Sequence, residues 1–368
     1  MNQNTGGWAS RAALSIITRL FSTGTNASRP VVAILPPEDR ETILQANLDA
    51  ALIARGVGAT IAQVPDGTAT GGNQRGQRAT DFQKSRSLAT HVASGSQAGI
   101  VAGDRNCASG SSSFIGAGFL NTATGDSAVI SGGAAHNATG TRSAIVGGAE
   151  NRASGGWSLV GAGQNNTASA NYSSVVGGFT NTASAVNSSI AGGVGNIADG
   201  VSSFVSGGSR GTTRLISGNH VFAACDSPIS TTTGGTQSAL LLLGRETLDA
   251  TATVLTSNTS AASATNQVTL PNNSAYYFKG SVIAGVTGGG NSKAWSFEGA
   301  IKRGANAAST AIVGTVVLNT IAQDAGASAW TIAITADTTN GAIAVTVTGA
   351  ASTTIRWMAK IETTEMTY

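Results

Sequence analysis

Between residues 88 and 213 one apolar position returns every 15 residues: Ile100, Ile115, Ile130, Ile145, Val160, Val175, Ile190 and Val205. Other columns keep the same step. Alanine recurs at Ala93, Ala108, Ala123, Ala138, Ala153, Ala168, Ala183 and Ala198, and glycine from Gly103 to Gly208. A polar column runs Asn106, Asn121, His136, Asn151, Asn166, Asn181, Asn196. A small one runs Ser113, Ala128, Ser143, Ser158, Ser173, Ser188, Ser203. Unstructured low complexity would not hold phase over about eight turns.

Within each unit, Ser and Ile/Val stand two apart, which reads as one short strand with alternate residues inward; Asn and Ala read as a second. Gly-Gly or Ala-Gly makes one corner. Ser/Thr-Gly makes the return corner, where a positive φ is expected. Two strands and two corners make one coil of a β-roll, and successive coils stack about 4.8 Å apart through parallel ladders. One Ile/Val and one Ala are little apolar burial for 15 ordered residues. Further burial between chains is therefore expected, in a homotrimer whose axis is lined by the Asn or the Ile/Val column.

The flanks differ. Residues 1–87 hold four of the six prolines and predict a small α/β attachment region and linker. In it, Ala12 to Phe21 reads as a short amphipathic helix in preference to a signal peptide. Val31 to Leu35 reads as a strand, residues 36–55 as a helix with Pro and acids in its first turn, and Ala59 to Val64 as a strand before the Pro65-Asp66-Gly67 turn. Residues 214–245 lose the period and are expected to close the roll with strands at Phe222–Asp226 and Ala239–Leu243. Residues 246–368 alternate with the strand period, as in Trp330/Ile332/Ile334 and Ile343/Val345/Val347. Asn340-Gly341 between two such runs predicts a type I′ hairpin. The fold class is all-β: a trimeric β-roll followed by a jelly-roll-like β-sandwich.

Composition supports an extended β architecture. Only 11% of residues are charged and 49 are glycine, so Ser, Thr, Asn and Gly supply the polar surface. The net charge of +3 is not gathered into a patch, so no nucleic-acid partner is expected. Cys107 and Cys225 imply neither a disulfide framework nor a metal site. No run of 18 apolar residues exists, so no membrane insertion is expected.

Units such as the nine residues from Gly177 and the ten from Gly161 resemble the β-roll head repeats of YadA-like trimeric adhesins, and more closely those of tailed-phage fibres. The period is one residue longer than is common in that family. The lead-in Arg75 to Gln83 is similar to segments that precede such repeats in phage structural proteins. Trp295 to Gly304 and Ile355 to Glu365 resemble the terminal domain of phage fibres. No signal peptide, heptad stalk or anchor of an adhesin is legible. The resemblance implies a virion appendage, attached to the tail, baseplate or another virion protein by its N-terminal region. Its C-terminal domain would meet a host-surface glycan or protein.

Catalytic chemistry is sought without success, and the chain is expected not to be an enzyme; a capsule-degrading tailspike and a bacterial surface adhesin are the rival readings. His91, His136 and His220 are dispersed, and His136 reads as a tolerated substitution in the Asn column. Asp104, Asp126, Glu150 and Asp199 fall in different columns, which fits a solvated surface better than paired catalytic carboxylates. Neither a phosphate loop nor a calcium repeat is present, and no cofactor is expected. The candidate ligand contacts are Tyr276, Tyr277, Asn291 and Lys293: adjacent tyrosines on a strand point to opposite faces, and an exposed ring beside a Gly-rich loop can stack on a sugar.

Overall fold

The computed structural model describes residues 60–368 apart from Ala62, Lys84, Ser227 and Ser230. The elements expected at 12–21, 31–35 and 36–55 lie outside these residues. From Gly99–Ile100 to Phe204–Val205, eight two-residue strands form a parallel ladder in which each residue faces the one 15 positions on. A second parallel ladder of seven strands runs from Cys107–Ala108 to Ile197–Ala198. Isolated bridges from Asp104 through Phe119 to Ser209 add a third line of contact at the corner between them. The Ile/Val, Ala, Asn and Ser columns all point into the coil and are buried. The β-roll follows from the sequence period.

The polar column is the most heavily bonded part of the interior. Asn166 shows the pattern: its Nδ2 donates to the Ala162 carbonyl at 3.0 Å and to the Gly178 carbonyl of the next coil at 2.8 Å. Its Oδ1 accepts the Asn181 N–H at 3.0 Å. Asn106, Asn121, Asn151, Asn181 and Asn196 repeat these contacts. The glycine three residues after the first strand lets the carbonyl come this close. Gly118 has φ +109°, and a Cβ there would collide with the Gly133 carbonyl and the Asn121 amide. At His136, Nδ1 stands in for the amide oxygen and accepts the Asn151 N–H at 3.2 Å. Burial holds this imidazole below its usual pKa.

Two expectations need correction. Neither the Asn nor the Ile/Val column can line an axis between chains, because both are enclosed by their own coil. The return corner also differs: Gly110 is not left-handed, and positive φ falls two residues later, at Ser112 (φ 55°), Trp157 (φ 55°) and Tyr172 (φ 59°). A second left-handed column holds Leu120, Glu150 and Thr180. The physical reason is bond direction. Strand N–H groups bond forward to the next coil, whereas Ser112 and Leu120 turn theirs back to Ser96 and Asp104. That reversal offsets a cost of about 1–2 kcal/mol for each non-glycine residue in this region.

Both ends of the roll are finished by a glutamine. Gln83 Oε1 accepts the Asn106 N–H at 2.9 Å while its Nε2 donates to the Asn106 carbonyl at 2.8 Å. Gln237 treats Thr212 in the same way, at 2.9 and 3.0 Å. Each side-chain amide thus imitates the peptide of a further coil, so the last backbone groups are not left bare. At the N-terminal end the buried Asp81 carboxylate takes Arg75 at 2.8 Å and Arg86 at 3.1 Å. At the other end Glu365 takes Arg214 at 3.0 Å and the Gln237 amide at 2.8 Å.

The first ladder does not stop at the roll. His220–Ala223 adds a parallel strand beside Phe204–Val205, and Thr236–Thr247 pairs antiparallel with it. The same sheet continues through Ile355–Thr367, Ser274–Val286, Ser292–Arg303 and Ala311–Gln323, all antiparallel. A smaller sheet of Thr253–Val254, Val268–Thr269, Thr331–Asp337 and Ala342–Thr348 covers it. Between the two lies a core containing Tyr276, Phe278, Phe297 and three tryptophans, with Trp357 stacked 5.8 Å from Trp295 and tilted 56° against Trp330 at 6.0 Å. This is a sandwich-like region. The Asn340-Gly341 turn is not type I′, which needs two left-handed residues; only Gly341 (φ 69°) is one. Asp337 organises a longer loop by accepting the Thr339 and Asn340 N–H groups.

Replacing Asn166 by Ala strands the Asn181 N–H and the Ala162 carbonyl, leaves the Gly178 carbonyl with the Gln164 N–H alone, and is expected to cost about 3 kcal/mol in a denaturant melt. The His136 imidazole is disfavoured as a cation in the fold, so the unfolded chain binds more protons. Stability is then complete above the unfolded pKa of about 6.5 and declines as the pH falls below it. His136→Asn is expected to remove that part of the decline in thermal melts between about pH 7 and 5.

Candidate binding surfaces

The two faces of the roll are unlike. The outward positions of the second ladder are mostly polar, among them Thr122, Asn137, Arg152, Thr167 and Thr182. Several outward positions of the first ladder and of the corner behind it carry large apolar side chains. Phe114, Val129 and Leu159 form one row, and Val101, Val146 and Val176 a second that Phe222 continues. Phe119, Phe179 and Val194 follow along the corner. These side chains are 36–57% exposed. The period predicts which residues point inward, but this row carries Gly, Ser and Ala in other coils, so its apolar character was not evident from the repeat.

The four expected ligand contacts do not assemble. Tyr276 is buried in the sandwich core. Lys293 is buried too: its Nζ donates to the Trp330 carbonyl at 2.8 Å and the Ser328 carbonyl at 3.2 Å, and lies 5.1 Å from the Trp295 ring centre. Asn291 is exposed in its loop. Tyr277 is 45% exposed on the other face of the sheet. Tyr277 pairs with Ala300 and Lys293 with Ala284, which puts them about 24 Å apart along the strands.

Tyr277 has other company. Its hydroxyl donates to Glu298 Oε2 at 2.9 Å. On the same face Lys279 lies between Glu298 and Glu362 in the strand register and bonds Glu362 at 3.2 Å. Lys360 reaches the other Glu362 oxygen at 2.8 Å. These two ammonium groups hold the Glu362 carboxyl below its ordinary pKa, and the Glu298 carboxylate pushes the Tyr277 phenol up. The strip offers one aromatic ring edged by hydrogen-bonding charges, a combination suited to a polyhydroxylated ligand. Only the cross-strand register joins Glu298 and Glu362 to Tyr277, and spacing along the chain carries no sign of it.

Other hollows offer less. One enclosed space between Ile216, Leu241 and Glu365 has a volume of about 10 Å³, room for one water. An open hollow beside Pro271 and Tyr368 is bordered by Arg214, already paired with Glu365. Among the described residues no group of three or more His, Cys, Asp or Glu side chains could hold a metal, and no helix is long and apolar enough to cross a membrane.

No protein-family model and no curated protein matches the chain. Among solved structures, the tailspike protein gp49 of Acinetobacter baumannii bacteriophage Fri1, a capsular polysaccharide depolymerase, matches at 7% identity and a TM-score of 0.20. The match covers 90% of this chain and 75% of that one. The tailspike protein of Acinetobacter baumannii phage AM24 matches at 8% identity and a TM-score of 0.19, over 80% of this chain and 54% of that one. Superpositions this loose carry no argument for a shared activity. The expectation that the chain is not an enzyme is nonetheless withdrawn, because a protein named as a depolymerase stands among its structural matches.

Glu298→Gln is expected to lower the Tyr277 phenol pKa toward the ordinary value of about 10, read by ultraviolet difference titration of the variant against the parent.

Proposed function

We propose that the chain is a homotrimeric appendage of a bacteriophage virion. Residues 1–87 attach it to the tail, baseplate or another virion protein, and residues 88–213 form the shaft. Residues 214–245 lead into residues 246–368, which meet the host surface. The apolar face of the roll is the observation that carries this reading. It leaves on the order of 800 Å² of apolar surface in water, about one partner's share of a standard interface. Two sister rolls presenting the same rows would cover it. The polar second face would then be the outside of the shaft. The resemblance of the repeats to those of tail fibres supports the placement on a virion.

The receptor contact is assigned to the Tyr277 strip, with a host-surface glycan as ligand. Three copies on one shaft would bind a repetitive cell surface with combined strength even where each site is weak. Asn291, exposed in the Gly-rich loop at the far end of these strands, would be a separate contact outside the Tyr277 strip; the buried Tyr276 and Lys293 act as support for the sheet.

Native mass by light scattering is expected to be three times that of the chain, and Val146→Asp with Val176→Asp to reduce it to monomer. A monomeric parent protein would sink the proposal. Tyr277→Ala is expected to change stability by no more than about 0.5 kcal/mol and to weaken binding to host cells about tenfold. Unchanged cell binding would remove Tyr277 from the contact. Incubation of the trimer with host capsule, followed by a reducing-end assay, measures whether the bound glycan is also cut.

A further inference from the structure

The return corner of the roll holds three residues unlike the rest of their column. In the left-handed positions there, Ser112, Ser127, Asn187 and Ser202 are small and polar, while Arg142, Trp157 and Tyr172 are long or aromatic. Bulky residues seldom adopt this conformation (φ 57°, 55° and 59°), so small ones would serve the corner better. Backbone outliers of this kind gather where a protein binds something. The stacking of coils sets the three side chains in one pile. The Arg142 guanidinium lies 5.2 Å from the Trp157 ring centre on one side. The Tyr172 ring lies 5.1 Å from it on the other, 16° from parallel. Trp157 is 46% exposed and Tyr172 53% exposed.

The open edge of this pile is a column of unused donors. Among the described residues, the Arg142 guanidinium, the Trp157 Nε1–H and the Tyr172 hydroxyl have no hydrogen-bond or ion-pair partner. The guanidinium is always charged. Asp126, the acidic residue on the same corner, turns its Oδ1 to the Ser111 N–H at 3.1 Å. Successive donors stand about 4.8 Å apart, one per coil. The backbone amides of the three residues are spent within the roll, on the Asp126, Thr141 and Gly156 carbonyls. A peptide strand therefore finds no backbone edge here. A nucleobase needs a free ring face, and both faces of Trp157 are taken. What is offered is apolar ring edges set between N–H and O–H donors, with a cation at one end. That matches a chain of hydroxyl acceptors bearing carboxylates.

We propose that Arg142, Trp157 and Tyr172 form a binding site on the shaft for an acidic polysaccharide, one whose sugar units carry carboxylates. The polysaccharide lies along the roll axis and crosses the three coils. Arg142 takes a carboxylate as a charge-assisted pair. Trp157 and Tyr172 donate to hydroxyl oxygens and pack their ring edges against sugar C–H groups. The site is on the corner opposite Phe119 and Phe179, outside the rows assigned to sister chains. It uses no residue of the Tyr277 strip and needs only the folded roll.

Surface plasmon resonance of the intact protein over immobilised polygalacturonate, alginate and hyaluronate, with neutral dextran as reference, tests this. At least one of the three uronate polymers is expected to bind, and dextran is not. Trp157→Ser and, separately, Arg142→Ser are each expected to weaken that binding at least about tenfold, with native mass unchanged. Tyr277→Ala is expected to bind the polymer as the parent does. Binding to none of the three polymers would overturn the site, as would binding that survives either substitution on the roll. Equal binding to dextran would overturn the acidic class. A fall in native mass in either variant would make the pile a contact between sister chains, and loss of binding in Tyr277→Ala would move the ligand to the sandwich; both overturn the proposal. A parent protein of monomeric mass that binds and responds as stated would overturn the trimer and leave this site standing.

Discussion

The buried amide ladder is the interaction on which the roll depends. Each coil has a thin interior of one branched aliphatic side chain, one alanine and small polar residues, too little to fix the path of 15 residues. The Asn column supplies the rest. One side chain bonds its own corner through the carbonyl four residues back and the next coil through two further contacts. Every coil is thereby tied to its neighbour in both position and register. In this low-dielectric interior such bonds are strong, and an unpaired member is costly, so each coil must repeat the same residue or a close mimic such as His136.

The same logic explains the ends. A ladder that stopped abruptly would leave one donor and one acceptor buried without partners. Gln83 and Gln237 supply both through a single side chain, so the roll meets an ion cluster at one end and an antiparallel sheet at the other. Continuity of the sheet also fixes the direction in which the sandwich leaves the shaft.

What the interior cannot supply, the outside requires. Apolar rows on one face of the roll are a surface a lone chain would keep in water at a loss. Assembly of like chains, as proposed, would cover the rows on the roll. The Tyr277 strip is different in kind. Its charges satisfy one another, its ring is open, and nothing in the fold needs it, which is why it is the place assigned to the host surface.

The 15-residue period alone determined the β-roll, its two ladders and its inward columns, because identical environments in every coil select identical residues. It also marked the Asn column as special. It could not say where the left-handed corners fall, since Trp157, Tyr172 and Glu150 occupy them and carry no glycine signal. In the C-terminal region alternation gave strands but not their partners, so Tyr276 and Lys293 could not be seen to be buried. Nor could Glu298 and Glu362 be placed beside Tyr277. Inward and outward are written into a strand by its own alternation; which strand lies alongside, and in which register, is settled only when long-range pairing closes the sheet.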